Sequence, residues 1–230
     1  MSKNNQDIGY VLSVTPYREH DAMIHFFGRH FGLIRFVLSG YYKPQSKQSS
    51  LGVEFSQVRL RFQYKENQLM RIQTGELLET YFEYRQEYDW LLLMSLVTEV
   101  LIKLYQSSSK SFWLAFIESS YDQPSYTQLI YNLRNLIIDL GIEPVVDRCV
   151  VTHSTQVSDF SIERGGFVSK KYRTSKLKLH HLQTILFLFT KTKETLNKIE
   201  DEMIILNILV RYIEFHMDVK FNSLKLIYDV

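Results

Sequence analysis

Apolar and polar side chains alternate along much of the first 80 residues, which is the pattern of half-buried β-strands. The clearest run, residues 58–65, reads Val-Arg-Leu-Arg-Phe-Gln-Tyr-Lys. Because successive side chains of a strand point to opposite faces, Val58, Leu60, Phe62 and Tyr64 should share one face. Glycines separate such runs, and about five strands fit in this region. The pattern predicts an N-terminal five-stranded, partly open β-barrel, the OB-fold type of barrel.

The hydrophobic period changes after Tyr88 to the 3.6-residue repeat of helices. One apolar stripe comprises Trp90, Met94, Val97, Leu101 and Leu104. Ser125 is a predicted N-cap of a later helix, and Gly141 lies where that helix should end. Two further stripes predict helices that bury Leu182, Ile185, Leu186 and Phe189, and Ile205, Ile208, Leu209, Tyr212 and Ile213. We expect a multidomain α+β chain with a barrel domain, residues 1–80, and a mainly α-helical domain, residues 81–230.

Charge is unevenly distributed, although the formal net charge is only +2. Residues 1–80 carry 10 Lys and Arg against 7 Asp and Glu, residues 81–148 carry 5 against 9, and residues 149–230 carry 12 against 9. Two basic ends therefore flank an acidic middle, and binding partners respond to such local fields more than to the total charge.

Cysteine usage and the N-terminal sequence bear on the cellular compartment. The single Cys excludes an internal disulfide framework. The chain starts with polar residues, without a secretory apolar region after them, and no stretch of 18 apolar residues is present. We expect a cytoplasmic protein, associated with the nucleoid if it binds DNA, and no membrane partner.

The barrel carries a predicted DNA-binding surface. Small barrels bind single strands by combining a cationic groove with aromatic rings that stack on bases. Candidate residues on the strands and on the loop after Gly40 are Arg35, Tyr41, Tyr42, Lys43, Lys47, Arg59, Arg61 and Lys65. The alternative is that these side chains only solvate the outer face of an antiparallel sheet.

Four positions between residues 149 and 172 have the spacing of a zinc ribbon. Cys149 and Thr152 form one pair, and Ser169 and Tyr172 form the second after sixteen intervening residues. Structural zinc needs four Cys or His donors in a tetrahedral shell. Since three positions hold Thr, Ser and Tyr, we expect a ribbon-like hairpin at about residues 145–175 without metal. A residual metal site formed by Cys149, His153 and the pair His180–His181 is the alternative.

A second basic cluster lies on the same predicted hairpin and just beyond it. Its members are Arg164, Lys170, Lys171, Arg173, Lys176 and Lys178. Phosphate contact is one interpretation, because the nucleic-acid backbone dominates non-specific affinity. A solvated loop and helix start is the other.

Catalytic signatures are absent from the sequence. The chain has no P-loop, no GxGxxG, no HExxH and no GxSxG motif. We expect a protein that is not an enzyme and needs no cofactor.

Several short motifs, taken in order, resemble the RecO family of DNA repair proteins. In the N-terminal part they are Gly9-x-Val11-Leu12, Tyr17-x-Glu19-x-Asp21, Phe27, Gly32-Leu33 and Gly40. In the rest they are Leu133 to Gly141, Pro144, the ribbon-like positions with Gly165-Gly166, then Arg211, His216 and Phe221-x-Ser223-Leu224. Many members have CxxC pairs where this chain has Thr152, Ser169 and Tyr172.

The resemblance implies an OB-fold followed by a helical domain with a zinc-ribbon-like insertion. It also implies a recombination mediator that binds single- and double-stranded DNA and anneals strands. Its implied partners are RecR, the acidic C-terminal tail of single-strand-binding protein and, indirectly, RecA. An adaptor whose basic patches bind acidic peptides instead of DNA stays open as the alternative.

Overall fold

The N-terminal strands close into a five-stranded barrel in the computed structural model, which describes residues 4–65, 68–175, 177–190 and 199–223. The strands are β1 (Asn4–Tyr17), β2 (Asp21–Gly28), β3 (Gly32–Leu38), β4 (Gln57–Gln63) and β5 (Met70–Glu79). Their order around the barrel is β1-β2-β3-β5-β4, and β1 pairs with β4 to complete the circuit. Neighbours are antiparallel except β3 and β5, which pair in parallel through Phe36–Met70 and Val37–Arg71. The five-stranded barrel is confirmed, and this short parallel contact closes it where we predicted an opening.

The barrel core consists of the inward half of each alternating run. Val58, Leu60 and Phe62 are fully buried, as the strand pattern predicted. Tyr64 is 47% exposed, because β4 ends at Gln63 and the tyrosine no longer follows the strand's alternation. The remaining core is aliphatic and aromatic, and Phe36 contacts Phe62 edge-to-face with ring centroids 4.8 Å apart.

Within the described residues, five α-helices follow the barrel. They are α1 (Tyr88–Leu104), α2 (Lys110–Asp122), α3 (Tyr126–Asp139), α4 (Leu179–Thr190) and α5 (Glu202–Met217). Ser125 caps α3 by accepting a hydrogen bond from the Gln128 N–H, and Gly141 has φ +69° after its last turn. The predicted stripe of α4 departs from the structure at two positions, since Leu186 is 38% exposed and Phe189 is half-buried, while Leu188 is buried instead.

The chain divides into two compact units, Met1–Met94 and Ser95–Val230. The domain boundary predicted at residue 80 lies one residue after β5 ends. Within the described residues one helical segment, Tyr88–Ser107, has the length and apolarity to cross a membrane. Buried core helices meet the same criterion, and 56% of its apolar window is buried inside the protein.

A small hairpin stands between α3 and α4 in the second unit. Its strands are β6 (Asp159–Ser161) and β7 (Gly166–Val168), and they pair in antiparallel. A Cβ atom at Gly166 would lie 2.3 Å from the carbonyl oxygen of Val145, so only glycine permits this approach. Phe160 packs against Tyr212 of α5 at 5.8 Å between ring centroids, which fixes the hairpin on the helices.

Candidate nucleic-acid interface

Two predicted cations of the barrel, Arg59 and Arg61, lie on its outer face with their charge already engaged. Arg59 forms an ion pair with Glu76 on the neighbouring strand β5. The Nε atom of Arg61 donates to Oε1 of Gln6 on β1 at 3.0 Å. These side chains bridge strands, so their availability to a phosphate is reduced.

A cleft at one end of the barrel brings two other predicted cations together. Arg35 and Lys65 both line it, with Phe31 and Tyr64, and its volume is about 390 Å³. The rings of Phe31 and Tyr64 are 5.1 Å apart at 34°. An exposed ring beside two cations has the composition of a base-stacking site. The strand pattern predicts Tyr64 on the same face as the core residues, and it does not single out Phe31. The position of Tyr64 at the end of the alternating run was the sequence signal that its side chain could leave the core face.

The loop after Gly40 contributes one accessible ring rather than two. The Tyr41 hydroxyl donates to the carbonyl oxygen of Gly52 at 3.0 Å, and its ring packs against the barrel core. Burial, and then the neighbouring Tyr42 and Glu54, raise the pKa of Tyr41. Tyr42 is 46% exposed and meets Tyr41 edge-to-face. Of the two predicted stacking residues, geometry therefore favours Tyr42.

The exposed loop also carries the predicted cations Lys43 and Lys47. The aliphatic part of the Lys43 side chain passes close to the backbone of Gly40. Neither ammonium group has an ion-pair partner among the residues that the structure describes. Both lysines therefore remain candidates for phosphate contact on this unit.

Three of the four ribbon-like positions meet around the Cys149 sulfur. Cys149 is buried, and its Sγ atom accepts the N–H groups of Thr152 at 3.5 Å and Ser169 at 3.2 Å. Burial works to raise the pKa of Cys149, but donors from Thr152, Val151 and Ser169 together outweigh it and lower the pKa to about 6. The sulfur is thus surrounded by hydrogen-bond donors, the environment that stabilises a thiolate.

Two cationic side chains lie close to the ring of Tyr172, the fourth ribbon-like position. The Arg164 guanidinium carbon lies 5.2 Å from the Tyr172 ring centroid, and the Lys171 ammonium lies 5.5 Å from it. Both distances are within the range of cation–π attraction. Phe167, in contrast, packs inside the hairpin against Phe160 with ring centroids 6.0 Å apart.

The ribbon-like positions do not fit a zinc ion. They supply one thiol, where structural zinc needs four Cys or His donors. Within the described ranges, the one cluster of three or more metal-ligating side chains includes neither Cys149 nor His153. His180 and His181, the other predicted partners of Cys149, contact a carboxylate elsewhere.

A buried carboxylate holds the basic segment that follows the hairpin. Asp159 accepts the N–H groups of Thr174 at 2.8 Å and Ser175 at 2.7 Å, and also the Ser175 hydroxyl. Burial works to raise the pKa of Asp159, but these donors and the Phe160 N–H outweigh it and lower the pKa. Arg173 donates through Nε to the carbonyl oxygen of Ser175 at 3.1 Å, which folds the segment further.

The cations of this segment are exposed. They are Arg164, Lys170, Lys171, Arg173 and Lys178. Among the residues that the structure describes, no carboxylate lies within ion-pair distance of any of them. The predicted Lys176 lies outside the described residues. The hairpin and the loop after it therefore present a cationic cluster around one aromatic ring, which is called the hairpin cluster below.

Comparison with known proteins matches both parts of this architecture. The family model described as "Recombination protein O N terminal" matches residues 1–81, the region of the closed barrel. The DNA repair protein RecO of Listeria monocytogenes serotype 4a is 28% identical over 182 residues, covering 75% of this chain and 70% of the relative. The DNA repair protein RecO of Halalkalibacterium halodurans is 26% identical over 172 residues, covering 71% of this chain and 66% of the relative. The barrel is thus similar to the N-terminal OB-fold domain of Recombination protein O, and the chain is similar to DNA repair protein RecO over about three quarters of its length.

Proposed function

We propose that this protein is a recombination mediator that binds single- and double-stranded DNA directly. The observation that carries the proposal is the hairpin cluster, whose cations have no carboxylate partners among the described residues. Exposed Lys and Arg side chains without acidic neighbours leave a positive local field that attracts a polyanion. DNA phosphates that contact these side chains release counterions, and this makes binding strongly salt-dependent.

The cleft on the barrel suits a different part of the same ligand. Arg35 and Lys65 provide charge for the backbone, and Tyr64 provides a ring on which an unpaired base stacks. Duplex bases are already stacked on one another and do not reach such a ring. We expect the cleft to favour single strands and the hairpin cluster to bind either form.

We expect strand annealing because the protein would contact DNA through its phosphates and through stacking on unpaired bases. A protein that neutralises phosphates lowers the repulsion between two complementary strands, and contacts that do not read base edges work for any sequence. Similarity to the RecO family supports the further proposals that the protein works with RecR, assists loading of RecA and recognises single-strand-binding protein. These activities belong in the cytoplasm, at the nucleoid.

We also propose that the protein has no enzymatic activity on DNA. Cleavage by metal-assisted hydrolysis uses carboxylates that hold metal ions beside the scissile phosphate. In the described residues the candidate interface contains cations and aromatic rings, and Glu76 is engaged by Arg59. Incubation of labelled DNA with Mg²⁺ should leave both strands intact, and reproducible cleavage would contradict this proposal.

The test of the main proposal is a titration of labelled oligonucleotides by fluorescence anisotropy across a salt series. We expect single and double strands to bind, with affinities that fall steeply as salt rises. An annealing assay with complementary strands, with and without RecR, then measures the mediator activity. Binding that does not depend on salt, or no binding at low salt, would contradict the proposal.

An adaptor for acidic peptides is the second candidate, and the observation in its favour is a cleft in the helical unit where two cations lie beside an exposed aromatic ring. The cleft has a volume of about 700 Å³ and is lined by Arg211, Phe215 and Lys220, with Phe215 52% exposed. Glu163 and Glu214 lie in the same lining, so its described charges balance. This balance suits a mainly apolar peptide end better than a long acidic segment. A labelled acidic peptide in the same titration separates the two functions, since an adaptor binds the peptide and not DNA.

A further inference from the structure

The start of α4 and the residue before α5 bring two imidazoles and one carboxylate together. His180 and His181 are in the first turn of α4, and Asp201 directly precedes α5. The Nε2 atoms of both histidines lie 2.9 Å from the same oxygen, Oδ2 of Asp201. All three potential ligand atoms lie within 4.8 Å of one another.

Asp201 does not perform the task that its position suggests. An Asp before a helix usually accepts a backbone N–H of the first turn, but Asp201 makes no side-chain cap hydrogen bond. Its backbone has φ +53°, the left-handed region that costs a non-glycine residue energy. The carboxylate is instead directed at the histidines, and both rings lie within hydrogen-bond distance of its Oδ2 atom.

We propose that His180, His181 and Asp201 form a binding site for a divalent transition-metal ion of the Zn²⁺ class. Two imidazoles and one carboxylate are donors that such ions accept, and three protein ligands leave a fourth position for water. Bonds of about 2.0–2.2 Å in a tetrahedron put neighbouring ligand atoms about 3.3 Å apart. The observed contacts at 2.9 Å are close to this spacing, so small movements admit an ion.

Access and burial of the three side chains fit an ion that reaches the site from solvent. His181 is 3% exposed at its side chain, whereas His180 and Asp201 are 35% and 43% exposed. One side of the site is therefore fixed in the protein and the other is open to water. The bound ion would connect the beginnings of two helices that are twenty residues apart in the chain.

A bound ion would replace the two hydrogen bonds between the histidines and Asp201, and one further hydrogen bond must also open. The Nδ1 atom of His181 accepts the Lys178 N–H at 3.2 Å, so the proton of the neutral ring is on Nε2. A metal at Nε2 needs that proton moved to Nδ1, where it faces another donor. We therefore expect a reversible site, weaker than a four-thiolate site. Its affinity should fall as pH falls, because imidazoles bind metal only when neutral.

The site differs from the ribbon-like positions in place and in chemistry. It contains neither Cys149 nor any other member of that set, and its donors are nitrogen and oxygen. A bound ion stabilises the folded chain by mass action, as any ligand specific for the native state does. Binding of Zn²⁺ should therefore raise the melting temperature of the chain whether or not DNA is present.

The test is isothermal titration of the chelator-treated full chain with Zn²⁺, repeated with Co²⁺. We expect one ion per chain, with affinity reduced at least about tenfold in His180→Gln and in Asp201→Asn. His153→Gln and Cys149→Ser are the matched controls and should bind as the parent chain does. A Zn²⁺-dependent rise in melting temperature should be present in both controls and lost in His180→Gln.

Two results would overturn the proposal. One is a parent chain that binds no stoichiometric ion. The other is a His180→Gln chain that binds Zn²⁺ as tightly as the parent. If Asp201→Asn fails to fold, His180→Gln decides the question, because that side chain is partly exposed and its loss disturbs packing least. Neither result bears on DNA binding, which is measured separately.

Discussion

The outer face of the barrel and the hairpin cluster carry similar numbers of cations but use them differently. On strand β4, Arg59 is paired with Glu76 and Arg61 donates to Gln6, so both side chains connect neighbouring strands. On the hairpin, Arg164 and Lys171 lie against the Tyr172 ring without a carboxylate partner among the described residues. A count of cations in the sequence does not distinguish paired cations from unpaired ones. The distinction depends on the side chains that each cation contacts, and on the barrel these side chains come from neighbouring strands.

The same contrast extends to the aromatic residues. Tyr64 on the barrel is exposed beside Phe31 and offers a face to a base. Tyr172 on the hairpin is half-buried and already has two cations near its ring. We infer that the barrel provides the ring that stacks on bases and that the hairpin cluster provides the charge that binds phosphates. The first two predictions that follow test this division, and the next two test the contacts that hold the hairpin segment.

Reversing two charges of the hairpin cluster should have the largest effect. In Lys170→Glu/Lys171→Glu, single- and double-stranded DNA should both bind about 100-fold more weakly at low salt, because attraction to phosphate becomes repulsion. Both side chains are exposed, so the melting temperature should stay within a few degrees of the parent. Anisotropy titrations measure the affinity, and an unchanged affinity for both DNA forms would remove the hairpin from the interface.

Removing the exposed ring of the barrel cleft should affect single strands only. Tyr64→Ala should weaken binding of single-stranded DNA by about 1–2 kcal/mol, or roughly tenfold, because one base loses its stacking partner. Duplex binding should be nearly unchanged. Tyr64→Phe keeps the ring and is the matched control, which should bind like the parent. Equal losses for both DNA forms in Tyr64→Ala would argue against a stacking site.

Replacing Asp159 should lower the stability of the chain more than it lowers the affinity for DNA. Asp159→Asn places an amide group where three donors now meet a carboxylate, and we expect a loss of about 1–3 kcal/mol in the free energy of unfolding. Urea denaturation measures this loss. Glu163→Gln, on the turn of the same hairpin, replaces an exposed acid and should change stability far less. A stable Asp159→Asn chain would show that the basic segment is held by other contacts.

The Cys149 thiolate should make stability depend on pH. Its pKa is lowered to about 6, below the ordinary value near 8.5 in the unfolded chain. The thiolate therefore stabilises the folded state fully above the unfolded value, and this contribution is lost as pH falls through 6. The difference in unfolding free energy between the parent and Cys149→Ser should rise from pH 6 to pH 9. A difference that is flat over this range would mean that folding does not lower the pKa of the thiol.

Local sequence patterns predicted the strands and helices well, but they did not predict which side chains contact one another across strands. The alternation at Val58, Leu60 and Phe62 identified a core strand, and Ser125 with Gly141 marked the ends of α3, because these signals act over a few residues. The pairing of Arg59 with Glu76 depends on the register of β4 and β5, which a bulge shifts within that pair of strands. Such a register is a property of the whole sheet.

The ribbon-like spacing shows a similar limit. It predicted a hairpin, which the structure contains, but it gave no sign of the contacts that hold this segment. These contacts include hydrogen bonds to Cys149 and Asp159, and Asp159 was not singled out because a single acid at the start of a strand is common. The cluster of His180, His181 and Asp201 joins positions about twenty residues apart in the chain. Strand and helix periodicities relate only residues that are close in sequence, so they could not predict this cluster.

The salt dependence of single-strand binding tests the central claim most directly. The logarithm of affinity falls with the logarithm of salt concentration by about 0.7 for each phosphate contacted on a single strand. We expect the slope to decrease by about 1.4 in Lys170→Gln/Lys171→Gln and to change much less in Arg59→Gln/Arg61→Gln. The opposite order, with the strand pair reducing the slope and the hairpin pair leaving it unchanged, would contradict the assignment of phosphate binding to the hairpin cluster.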